Sequence, residues 1–110
     1  MDIGEEIWNI VIKWDFFQKD TVGKQLVRAA DSIASNLSEG FGSYQYKETK
    51  NFGYYSRGSL YETKYWLKRT VARKLISNQE IEKIKPLVDE LLPKINGFIN
   101  YLDTMINKKN

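Results

Sequence analysis

Three polar side chains stand out in the stretch "RAADSIASNLSEGFG": Ser32, Asn36 and Glu39. Their spacing of four and three residues aligns them along one side of a helix, at the border of an apolar stripe. Further on, "RGSLYE" supplies Gly58, Ser59 and Glu62 at matching positions. Glu39 and Glu62, brought together, could act as acid and base or grip a divalent ion. Buried, the same set could instead be a hydrogen-bond network that fixes helix register, as a polar core position does in coiled coils. No third acid is spaced to join the two carboxylates on these helices, which favours the structural network of Ser32, Asn36, Glu39, Ser59 and Glu62.

Composition narrows the chemistry further. The 110 residues contain no histidine and no cysteine. Ser-His-Asp and Cys-His mechanisms therefore lack the imidazole that takes the proton. Zinc sites built on His or Cys, and di-iron bundles built on Glu-x-x-His, lack their ligands. Carboxylate-only or magnesium chemistry stays open, but the expectation is a protein that is not an enzyme, with no catalytic residue, metal or cofactor. The absence of cysteine fits a reducing compartment. No apolar run approaches the ~18 residues of a membrane span, and "MDIGEEIW" is acidic where an export signal is basic. The expected setting is cytoplasmic, with no membrane partner.

The chain reads as one all-α domain over residues 1–110, an antiparallel up-down-up-down four-helix bundle with short connections. The first segment places Ile3, Ile7, Ile10, Trp14 and Phe17 on one side, with Trp8, Ile12 and Phe16 as a second apolar strip. A break is expected at "QKDTVG", where Asp20 or Thr21 can cap the next helix. That helix, roughly 21–39, presents Val22, Leu26, Ala29 or Ala30, Ile33 and Leu37, and Gly40, with Gly42 two residues on, supplies its stop. The third segment, about 47–75, has Phe52, Tyr55, Ser59, Thr63, Trp66 and Thr70 on its inner side. Gly53 and Gly58 within it indicate either close approach of a neighbouring backbone or a kink, since each costs about 1 kcal/mol relative to Ala. The fourth opens at Ser77 or Asn78 and repeats Ile81, Ile84, Val88, Leu91, Ile95, Phe98, Leu102 and Met105 at alternating steps of three and four. Pro86 and Pro93 bend it or break it at Pro86. Leu92, Ile99 and Ile106 form a second strip on this helix. Surplus apolar strips on the first and last helices predict self-association through them, unless they only cover the ends of an irregular monomer.

The blocks "QLVRAADSIASNLSEGFG" and "NFGYYSRGSLYET" resemble the four-helix-bundle family of 23S ribosomal-RNA intervening-sequence proteins. The family's approximate pattern is R-A-x-x-S-I-x-x-N-I-A-E-G, then an aromatic, then G-S-x-x-E. Arg28, Ser32, Ile33, Asn36, Glu39 and Gly40 match the first block, and Phe52, Gly58, Ser59 and Glu62 the second. Leu37 and Ser38 replace the common Ile-Ala, and Ser43 stands where a basic residue often follows the glycine. The resemblance implies a bundle assembled into a ring-like pentamer, without catalytic activity. Some members are encoded within inserts in large-subunit ribosomal-RNA genes. Related proteins are accessory factors of diversity-generating retroelements that bind a reverse transcriptase and nucleic acid, which is the kind of protein partner implied.

Charge points to a surface independently. The net charge is +3, but residues 1–44 carry four Lys/Arg against seven Asp/Glu, and residues 45–74 carry eight against two. In the third helix Lys47, Lys50, Tyr54, Arg57, Tyr61, Lys64 and Lys68 step by three and four along one outward face, and Arg69, Arg73 and Lys74 extend the charge. Lysines so spaced can neutralise phosphates, and tyrosines between them can stack on unpaired bases. The expected partner is RNA or DNA, bound without sequence readout because no helix-turn-helix, zinc-finger or RNA-binding signature is present. The alternative is a protein-interaction scaffold that docks an acidic partner and touches no nucleic acid.

Overall fold

The computed structural model describes residues 2–109. Its helices are α1 (Ile3–Val11), α2 (Lys24–Phe41), α3 (Tyr46–Ala72) and α4 (Asn78–Lys109). One helical turn, Phe16–Gln18, runs through a π-helical turn, Lys19–Gly23, straight into α2. Contacts between neighbouring helices descend along one chain as they ascend along the other. Gly4 lies against Asp31 and Val11 against Gly23 between α1 and the helix that leads into α2, and Thr49 meets Gly40 and Ser56 meets Ile33 between α2 and α3. Lys50 meets Asp103 and Arg57 meets Asn96 between α3 and α4. Each adjacent pair is therefore antiparallel, and the all-α four-helix bundle expected from the sequence is the fold.

The break between the first two helices lies earlier than "QKDTVG". Helix α1 starts where the Asp2 carboxylate accepts from the Gly4 N–H at 2.9 Å and ends at Val11. The chain restarts at Asp15, whose side chain accepts from the Gln18 N–H at 2.8 Å while Gln18 Oε1 accepts from the Asp15 N–H at 3.3 Å. This reciprocal capping box fixes a helix start. Thr21, expected as a cap, instead donates its hydroxyl to the Phe17 carbonyl at 2.8 Å inside the helix. Gly23 interrupts nothing. It is buried where an added Cβ would lie 2.6 Å from Val11 Cγ1, so it lets α1 lie close against the π-helical turn. One consequence is that Phe17, expected on the buried line, is 74% exposed.

The inner side of α3 also differs from expectation. Its buried line is Thr49, Gly53, Ser56, Leu60, Thr63, Leu67 and Thr70, again at steps of four and three. Thr63 and Thr70 are where the sequence put them. Phe52, Ser59 and Trp66 are half-buried at the edges, and Tyr55 is exposed. Small residues win because α3 is gripped from both sides. At Gly53 a Cβ would stand 3.0 Å from Ile99 Cγ1 of α4, and at Gly40 of α2 a Cβ would stand 3.0 Å from Phe52 Cβ. Gly40 is thus a contact residue inside α2, and of the two glycines expected to stop the helix it is Gly42 that caps it. Gly58 faces open space, so close approach explains Gly53 alone.

Helix α3 ends in a Schellman arrangement. The Leu75 N–H donates to Thr70 O at 2.9 Å and the Lys74 N–H to Val71 O at 3.1 Å, with Lys74 at φ 59 where glycine is usual. Ser77 and Glu80 then form a second capping box, at 3.1 and 2.9 Å. From there α4 runs unbroken through Pro86 and Pro93. Its second strip is not surplus: Ile99 is buried against Gly53, and Leu92 and Ile106 are half-buried. The expected α4 half of a subunit interface is therefore used inside the monomer. The strip on the first segment is different, with Trp8 51%, Ile12 52% and Phe16 78% exposed.

Candidate nucleic-acid interface

The face expected to look outward from α3 lies along its seam with α4. Lys47 is exposed at the N-terminal end. Lys50 is half-buried and ion-paired with Asp103. That carboxylate, accepting its proton, raises the Lys50 ammonium above the ordinary lysine value of 10.5, against an opposing push from burial and with help from Tyr54. Two turns on, Arg57 Nη1 donates to Asn96 Oδ1 at 2.7 Å. Tyr54 sits between these two cations, with Lys50 Nζ 5.6 Å and Arg57 Cζ 5.0 Å from its ring centroid. Such contacts hold cations over the π-face, so Tyr54 and its two neighbours form a strut between helices.

The second half of the face is differently disposed. Tyr61, Lys68, Arg69, Arg73 and Lys74 are exposed and Lys64 is half-buried. Arg69 Nε donates to the Tyr65 hydroxyl at 3.1 Å and its Cζ lies 5.2 Å over that ring, while Tyr65 meets Trp66 edge-on at 5.0 Å. Tyr65 was missing from the candidate residues, although its place four residues before Arg69 is a readable signal. Lys85 of α4 also stands beside Lys64 and Lys68. Nothing in linear spacing reports that, because it depends on the register between two helices.

The polar network is only partly assembled. Asn36 Nδ2 donates to Ser59 Oγ at 3.4 Å and to the Ser32 carbonyl at 2.8 Å, and Ser32 Oγ donates to Arg28 O at 2.8 Å. Glu39 and Glu62 are exposed, and among the described residues neither side chain forms a hydrogen bond or ion pair. With Gly40 opposite Phe52, the register puts the two carboxylates about nine residues apart, roughly 14 Å along the bundle. They are not a pair. The clamp between α2 and α3 is made by residues the sequence reading missed. Ser56 Oγ donates to Ile33 O at 2.8 Å, and Thr49 Oγ1 donates to Gly40 O at 3.0 Å.

Compared with known families, residues 1–97 match the model of the 23S rRNA-intervening sequence protein. The chain belongs to that family. No curated protein matches it. The family match takes in α1, α2, α3 and α4 as far as Gly97, and so every candidate cation and the whole Asn36–Ser59 contact. For this family member the paired blocks have a physical meaning: they are the stretches of α2 and α3 that face each other. Among the described residues, no helix is long and apolar enough to cross a membrane, and no group of three or more acidic side chains is placed to hold a metal ion.

Proposed function

We propose that the protein is a non-enzymatic, self-associating helical bundle that binds RNA or DNA without sequence readout, mainly through the C-terminal half of α3. One observation carries this reading. Lys68, Arg69, Arg73 and Lys74 are exposed within two turns of helix and its cap, while Lys50 and Arg57 are occupied by Asp103 and Asn96. Exposed cations this dense release counterions when they meet phosphates, and Tyr61 beside them offers a ring to unpaired bases, while Tyr65 already holds Arg69.

The test is binding of labelled hairpin and single-stranded RNA and DNA at two salt concentrations. Lys68→Glu combined with Arg73→Glu is expected to weaken binding and flatten the salt dependence, while Lys50→Gln changes it little. Binding insensitive to salt, or to the double substitution, would sink the reading. Self-association rests on a separate observation, the exposed line of Trp8, Ile12, Phe16 and Phe17. Exposed large apolar side chains grouped in this way suit a contact with a second copy of the chain.

A further inference from the structure

Between the C-terminal half of α3 and the N-terminal half of α4 lies a cleft of about 510 Å³. Its floor is aliphatic. Leu67 and Val88 are buried beneath it, Ile81 is half-buried, and Val71 is 48% exposed at its side. Lys64 and Lys68 stand on one bank and Lys85 on the other. The one carboxylate present, Asp89, already pairs with Lys85 at 3.0 Å, so the rim carries a clear positive excess. Its lining includes no aromatic ring, and an unpaired base would find nothing to stack on there. Aliphatic floors accept Leu, Ile or Phe side chains, and an amphipathic helix supplies these at i, i+3/i+4 and i+7. The banks run from Lys64 to Val71 and from Ile81 to Asp89, about 10–12 Å each, which matches two turns of such a helix.

We infer that this cleft docks an amphipathic helix of a partner protein. The helix lays its apolar face on Leu67, Val71 and Ile81 and its flanking Asp or Glu side chains against Lys64, Lys68 and Lys85. The inference does not rest on nucleic-acid binding, but it shares Lys64 and Lys68 with that face, so the two ligands compete there.

The probe is a fluorescein-labelled synthetic peptide with leucines at i, i+4 and i+7 and flanking glutamates. A second peptide carries lysine in place of every glutamate. Titrated against the full chain, the acidic peptide is expected to bind and the basic one not. Val71→Ser and Lys85→Glu should each weaken binding by about tenfold, and Lys47→Glu should leave it unchanged. Val71 and Lys85 are exposed, so both variants keep the fold, which thermal melting checks. Equal binding of the two peptides, or Val71→Ser binding like the parent, overturns the docking site. A single-stranded oligonucleotide titrated in parallel separates this from the proposed function, because Val71→Ser removes no charge and leaves that binding intact. An oligonucleotide that does not bind, beside a peptide that behaves as expected, removes the nucleic-acid reading alone.

Discussion

Gly53 and Gly58, five residues apart on one helix, do opposite things. A Cβ at Gly53 would meet Ile99 Cγ1 at 3.0 Å, whereas one at Gly58 would meet nothing within 4 Å. Glycine in a helix interior is destabilising by roughly 0.5–1 kcal/mol relative to Ala. Gly58→Ala should therefore stabilise by about that amount. Gly53→Ala should gain nothing or lose, because Ile99 must shift within a packed core. Urea denaturation of both variants checks this, and two shifts of the same size and sign would contradict it. The buried hydroxyl of Ser56 explains why this face of α3 was only partly read, although Thr63 and Thr70 were placed on it. Ser56, Thr63 and Thr70 look polar in sequence, yet each donates to a backbone carbonyl at 2.7–2.8 Å and so carries no unmet hydrogen bond into the core. A hydrophobicity pattern puts Tyr55 inside and Ser56 outside, when the space between helices admits only the smaller residue.

At the scale of elements, helix starts decided what could be read. In α4 the alternating apolar steps and a cap at Ser77 agree, so its start was legible from residues alone, whereas its continuity past Pro86 was not. Both of its prolines lie on the exposed side, and the helix continues past them. In the first segment two signals conflict. The apolar period runs on from Ile3 to Phe17, while Asp15 and Gln18 spell a new helix start, and the cap wins because Gly23 already brings α1 close by other means. Asp15→Ala removes the acceptor for the Gln18 N–H and is expected to cost about 1 kcal/mol, with fraying confined to residues ahead of the π-helical turn. Hydrogen exchange would show that localisation. Protection lost evenly along α2 would argue that Asp15 supports the bundle in another way.

At the scale of the molecule, the surface divides into regions of different character. The basic segment was legible as charge, since no partner choice is needed to count lysines. Which of those lysines are free was not legible. Lys50–Asp103 and Arg57–Asn96 join residues 53 and 39 positions apart, so they depend on a helix register that only packing sets. The spacing of polar residues marked where α2 meets α3 and included Asn36 and Ser59, which bond, but it added Gly58, Glu39 and Glu62 and missed Ser56 and Thr49. The exposed apolar line of the first segment yields the third expectation. Phe16→Ser with Phe17→Ser should reduce the assembled mass in sedimentation while leaving the melting temperature of the fold nearly unchanged, because both rings sit in solvent. An unchanged mass would move the contact elsewhere.

The π-helical turn at Lys19–Gly23 has a consequence for how this helix tolerates changes in length. An α-helix advances about 100° per residue, so one residue gained or lost would swing every side chain upstream by more than a quarter of a circle. A π turn takes in an additional residue locally. Here it lies between the solvent-facing pair Phe16 and Phe17 and the buried Leu26, and it uncouples the orientation of one from that of the other. A single codon lost within that turn would thus return it to α-helical geometry, while the aromatic end keeps its direction and α2 its core register.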